Sequence, residues 1–275
     1  MLKKTLRKLV SSRKALAIPV TYLILFASLI AIISVTYGFA VMKISARGAL
    51  LKASVAKQNM QFLDGAVHSV AWSFGASKTV YMEDCGGTFK TETAAKSLTI
   101  NLTDGQAFSA VVFNSSVGKA FYTLEASEES QEGIFIRGDG RAVINQSTNT
   151  MTQLYYARGE TTQQLVLSYR PMATALTIGT SNGKPLNLIR IYIISLNSSQ
   201  TLTLSGSFYL KVSALNVTST SQLYEFNSPV SSLALKAVLD KFQNTIWLPI
   251  TSSDEGAFVN LEILVCNVKI QVVNA

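Results

Sequence analysis

Residues 15–41 carry no charged side chain. The run, ALAIPVTYLILFASLIAIISVTYGFAV, has 27 residues and as a helix would extend about 40 Å at ~1.5 Å per residue, more than the ~30 Å hydrocarbon core of a bilayer. It predicts one membrane-spanning helix, tilted or with its far end emerging. A cleaved secretory signal would have an apolar core of only about 7 to 15 residues. Pro19 falls near the start of the run, where a missing backbone donor costs a helix least.

Beyond the run the pattern becomes amphipathic. Ile44, Gly48, Leu51, Val55, Asn59, Phe62, Ala66 and Val70 recur at spacings of four and three, with Arg47, Lys52, Lys57 and Asp64 between them. This predicts that the helix continues to about Ser73, with Gly75 as its stop, and that its stripe covers either the chain's own outer domain or the same helix of another copy.

From residue 76 the period shortens. Segments 97–102, 108–113, 133–137, 164–170, 173–179, 188–196, 201–213, 222–226 and 261–273 are rich in Val, Ile, Leu, Tyr, Phe and Thr, and Gly, Asn, Ser or Asp clusters separate most of them. They predict an all-β, antiparallel sandwich-like outer domain. Ser181-Asn182-Gly183-Lys184 and the stretch from Leu196 to Gln200 read as hairpin connections. Residues 231–242, with Leu233, Ala237, Val238 and Phe242 on one face, read as the one short helix of this domain. The resulting order is a basic leader at 1–15, a transmembrane helix at 16–41, a helix extension or stalk at 42–75 and a β-rich domain at 76–275.

Charge sets the orientation. Of 24 Lys and Arg, six precede the apolar run (Lys3, Lys4, Arg7, Lys8, Arg13 and Lys14), which places the N-terminus in the cytoplasm and the β domain outside. Ten lie before residue 76 against Asp64 alone, leaving 14 against 15 Asp and Glu in the outer domain. The basic balance therefore belongs to the anchor, and the near-neutral outer domain has no footprint for nucleic acid. All five acceptor sequons, at Asn101, Asn114, Asn145, Asn197 and Asn216, fall in the outer domain, which fits a glycosylated surface. Cys85 and Cys266 stand near its two ends. They are either a bridge closing a loop of about 180 residues, worth about 4 to 5 kcal/mol in the loop-entropy account, or two buried free thiols.

The chain offers little material for catalysis. Its single histidine, His68, lies on the helix, so the outer domain has no Ser-His-Asp or His-rich metal site. Gly86-Gly87 and Gly138-Asp139-Gly140 read as turns, because they lack the context of a phosphate loop. Glu125, Glu128, Glu129 and Glu132 form an acidic cluster that reads as a solvated loop. Tyr155, Tyr156, Tyr169, Phe208 and Tyr209 read as core and cross-strand pairs before they read as a ligand face. The expectation is no enzyme, no cofactor and no metal.

The N-terminus resembles an archaeal type IV pilin or pilin-like precursor, with a class III signal peptide. In that family a basic leader ends in Lys or Arg followed by a small residue, and a prepilin-type peptidase cuts just before a long apolar helix. Arg13, Lys14, Ala15 and Leu16 match that site, and the implied cut lies between Ala15 and Leu16. The resemblance covers about 30 residues and implies a surface-filament subunit whose partners are the membrane, the peptidase and copies of itself or other pilin-like subunits. Pro19 and Thr21 stand where many relatives carry a short polar or acidic motif. The size of the head implies a minor, tip or pilin-like subunit. The alternative is a singly anchored surface-binding or adhesion protein that never enters a filament.

Overall fold

One helix, α1 (Leu2–Val70), and a series of strands beginning at Ser77 make up a computed structural model that describes residues 2–125, 133–146, 150–158 and 162–273, with residues 2–18 described by backbone alone. The chain divides into two units, Met1–Leu51 and Lys52–Ala275.

In the first unit every residue from 19 to 47 is exposed, and the helix is long and apolar enough to cross a membrane. Two of its hydroxyls do not need water: Ser28 Oγ donates to Leu25 O and Thr36 Oγ1 to Ile32 O, each at 2.8 Å, so the helix backbone satisfies them internally. Pro19 differs from expectation. The helix already begins at Leu2, so Pro19 is an interior residue and removes one backbone hydrogen bond from the ladder.

The second unit is a β domain threaded by the end of α1. Its first sheet runs in the order β1 (Ser77–Met82), β11 (Phe208–Phe226), β14 (Ala257–Val272), β9 (Lys184–Ser195), β8 (Met172–Ser181), β5 (Ile144–Asn145). The second runs β13 (Phe242–Pro249), β12 (Ser232–Leu239), β2 (Thr88–Thr103), β3 (Ser109–Glu125), β7 (Thr162–Tyr169), β6 (Thr152–Arg158), β4 (Phe135–Arg137), with β10 (Leu202–Ser205) beside β2. Pairing is antiparallel except for β14 with β9 and β5 with β8.

Two cores result. One surrounds the helix, whose Ala56, Met60, Leu63, Ala66, Val67 and Val70 pack with residues of both sheets. The other is helix-free, with Leu98, Ile100 and Leu102 of β2 against Ile189, Ile191 and Ile193 of β9 and Leu261 and Ile263 of β14. On β9, Ile194 and the partly buried Tyr192 face the first core while Ile189, Ile191 and Ile193 face the second. Because side chains alternate along a strand, the C-terminal half of this strand contributes its two faces to different cores. That is why residues 188–196 read as an almost unbroken apolar run.

Four expectations change. Residues 231–242 are not a helix but most of the β12–β13 hairpin. Leu233, Leu235, Ala237 and Leu239 alternate inward, and Asp240 takes the positive φ of a two-residue turn. The helical stripe is shifted in part: Asn59, Ala66 and Val70 are buried as expected, but Met60, Leu63 and Val67 are fully buried beside them while Phe62 is 54% exposed. Of the two anticipated hairpins, Asn182-Gly183 forms one, with φ of 50° and 79°. The Leu196–Gln200 stretch instead leads from β9 in one sheet to β10 in the other. Finally α1 stops at Val70, where Trp72 adopts φ 68° and Gly75 φ 75°.

Candidate functional site

The most concentrated polar chemistry lies where the helix enters the β domain. Asp64 is fully buried and accepts from Arg137 Nη1 at 2.6 Å, Thr152 Oγ1 at 2.7 Å and Tyr169 OH at 3.1 Å. His68, one helical turn on, places Nε2 3.4 Å from the carboxylate and 2.8 Å from Thr152 Oγ1. Burial raises the Asp64 pKa, but the hydrogen bonds of His68 and Thr152 and the charges of His68 and Arg137 outweigh it, so the carboxyl titrates below its ordinary range. The same surroundings raise the Tyr169 phenol well above its usual value, burial first and the Asp64 charge second. Asn59 adds a second tie: its side chain bonds Glu83 O, Glu83 N and Tyr122 OH. With four partners around its buried carboxylate, Asp64 clamps the helix to the strands that carry Arg137, Thr152 and Tyr169.

A second network closes the adjoining loop. Arg170 is completely buried and bonds the Asp139 carboxylate, the carbonyls of Arg141 and Thr150, and Asp139 O. Arg141 holds the other side of Asp139 at 2.7 Å. Gly138 is needed there, because at φ 78° a Cβ would lie 2.2 Å from Thr152 O. Lys96 is buried nearby, donating to Tyr155 OH and Ser168 Oγ at 3.0 Å and lying 5.2 Å from the Tyr155 ring centroid. Desolvation lowers its pKa to about 8.

The residues singled out by sequence are dispersed. Asn101 is bonded to Ser109, Asn114 to Thr99, and Asn216, at a bulge of β11, to Asn267. Asn197 is committed to structure: its Nδ2 donates to Ser116 O at 2.7 Å and its Oδ1 accepts from Ala94 N. Asn145 lies in β5, and its partner residue Ser147 falls outside the described residues, as do Glu128, Glu129 and Glu132 of the acidic cluster. The side chains of Arg13, Lys14, Ala15 and Leu16 are likewise outside the description.

The bridge between Cys85 and Cys266 is not formed, and both are buried free thiols. Asp84 bonds Ser207 just before β11, whereas Cys266 pairs with Val217 on it. The separation is about ten residues, or some 30 Å at ~3.3 Å per residue, far beyond the ~6 Å between bridged Cα atoms. Tyr155 and Tyr169 are core residues. Tyr209 is 51% exposed and stacks at 5.1 Å on Tyr81 across the β1–β11 pair.

The outer face of the first sheet carries a hollow of about 370 Å³, lined by Ser181, Asn182, Leu186, Leu223, Phe258 and Asn260. Leu223, Asn260, Leu188 and Leu176 stand in register across its four strands, with Leu176 and Leu223 well exposed. Lys184 rims it, ion-paired to Glu225 at 2.7 Å and stacked over Phe258. Its lining can offer apolar contact and neutral hydrogen bonds but no acid or base. Compared with protein-family models, curated proteins and solved structures, the chain matches none of them.

Sequence reasoning missed the Asp64 cluster, although a signal was there. Asp64 is the one acid of the first 75 residues and His68, the one histidine, follows at i+4, the spacing that puts both on one face of a helix. Arg137, Thr152 and Tyr169 come from distant strands and carried no local mark.

Proposed function

We propose that the chain is a structural or minor subunit of an archaeal surface filament of the pilin-like kind. In this reading the leader is cytoplasmic and removed before Leu16, the apolar helix assembles with its neighbours, and the β domain is the exposed head. The observation that carries it is the first unit. Residues 19–47 are exposed around the whole helix and no charge occurs from 19 to 41, a surface that needs lipid before assembly and helices of other copies after it. The second part of the helix refines the reading. One face of residues 56–70 is already covered by its own head, so Ala56, Met60, Leu63, Ala66, Val67 and Val70 are not free to meet another copy. The exposed apolar residues Leu50, Leu51 and Phe62 remain for that role beyond the membrane.

A second reading, a singly anchored surface-binding protein, is favoured by the hollow beside Leu223 and Phe258. The two separate on the mature N-terminus of protein from native membranes, measured by mass spectrometry of the intact chain. Filament assembly predicts a chain beginning at Leu16, with Lys14→Ala blocking both processing and incorporation. A chain that keeps residues 1–15 excludes it in favour of the anchored binder.

A further inference from the structure

The distal half of β11 is a strand with one neighbour. β1 covers its outer edge only from Phe208 to Ser213, and Ala214 is closed by backbone bonds to Gly75 and Ala76 at 3.1 and 3.0 Å. From Asn216 to Phe226 it pairs with β14 alone. About half of the N–H and C=O groups in that stretch therefore point away from the sheet, and among the described residues no strand lies beside them. Residues 215–223 are also exposed on both faces.

Residues 109–119 of β3 and 174–181 of β8 also have a single strand neighbour, but several other edges are blunted in the ways that prevent association. β1 has six residues and carries Lys78. β13 ends in Pro249, and its Asn244 side chain is bonded to the backbone of Val143 on both sides of the amide. β4 and β5 have three and two residues. The β11 edge has neither proline nor charge from 215 to 224, and Glu225 is neutralised by Lys184.

We propose that this edge pairs with the same edge of a second copy, antiparallel about a dyad at Thr220, joining the two six-stranded sheets into one. The sequence selects the occupant and the register. The stretch LNVTS-T-SQLYE is partly symmetric about Thr220: the dyad sets Val217 against Leu223, apolar on apolar, Ser219 against Ser221, small on small, and Thr218 against Gln222, polar on polar. A dyad at Ser221 would give a register of equal length but would set Val217 against Glu225 and Ser219 against Leu223. The Thr220 register ends at Leu215 with Glu225, and the next pair would need Ala214, whose N–H and C=O are already taken. The two copies of Glu225 stand ten residues apart, about 34 Å at ~3.4 Å per residue, and do not repel. The contact uses neither the leader nor α1, so it holds for a filament subunit and for a lone anchored protein alike.

The test uses the full chain in membranes, with single cysteines placed on exposed β11 and a bismaleimide of short reach. The buried Cys85 and Cys266 set the background. Thr220→Cys should give cross-linked dimer, because its two copies oppose each other. Thr218→Cys and Gln222→Cys, whose like copies stand about 14 Å apart at ~3.4 Å per residue, should each stay at background alone and cross-link when the two variants are co-expressed. Equal cross-linking at all three positions, failure of the mixed pair, or no dimer at Thr220→Cys, the outcome if a strand of another protein occupies the edge, would overturn the proposal. Mass spectrometry of the N-terminus is read separately and leaves this result unaffected.

Discussion

Residues 19–47 and residues 52–70 belong to one helix, yet they solve opposite problems. The first stretch is exposed on every side and, from 19 to 41, has only hydroxyls as polar side chains, two of them bonded to the helix's own backbone. The second buries one face and places a fully buried carboxylate in it. An apolar surface without a preferred face can be met by lipid or by several neighbours, whereas a face keyed by Asp64 fits only the strands that bring Arg137, Thr152 and Tyr169. What differs is where the unpaired surface is satisfied.

Substitutions can break the contrast. Asp64→Ala removes the shared acceptor of two buried hydroxyls and an arginine and should lower the stability of the β domain by about 4 kcal/mol, read as a shift in the denaturant midpoint, while Ser28→Ala should leave that midpoint unchanged. The Asp64 contribution depends on pH in a defined direction. Its folded-state pKa is lowered, so the stabilisation is complete above the ordinary carboxyl range and is lost as pH falls below about 3.8 toward the folded value. Asp139, held down chiefly by its bond from Arg141, acts in the same direction.

Leu63→Ala should cost about 3 kcal/mol through the cavity it leaves. Phe62→Ala, one position round the helix, should cost less than about 1 kcal/mol. Equal losses at the two sites would restore the unshifted stripe.

Lys96 sharpens the contrast within the head, as a buried cation held by hydroxyls and rings. Its folded pKa of about 8 lies below the ordinary 10.5, so between these values the unfolded chain binds the extra proton and stability rises with pH. Lys96→Met should therefore be more favourable relative to wild type at pH 7 than at pH 10.5, the difference narrowing by on the order of 3 kcal/mol. Paired unfolding curves at both pH values measure it. The smallest effect is expected at Leu50→Ala, within about 0.5 kcal/mol for the isolated chain.

The sequence carried the architecture where periodicity is long. The apolar run, the switch to period two after residue 76 and the Asn182-Gly183 turn are all local, and each appears in the fold. Residues 232–239 misled because Leu233, Ala237 and Val238 satisfy a helical spacing as well as an alternating one, and only pairing with β2 and β13 decides between them. Strands β1, β5 and β6 escaped because they are short or polar. The cysteines were ambiguous for the same reason as the Asp64 cluster: separation in space depends on register, and nothing near Cys85 or Cys266 encodes it.

Site-directed spin labels along α1 in full-length protein reconstituted singly into bilayers would test the central claim most directly, by collision with oxygen and with a water-soluble relaxer. Labels from 23 to 39 should meet oxygen at every position without periodicity and stay shielded from water. Labels at 59, 60, 63 and 67 should be shielded from both, alternating with accessible positions at 58, 61, 62 and 65. Helical periodicity in the first stretch, or uniform accessibility in the second, would contradict the division of one helix between two environments.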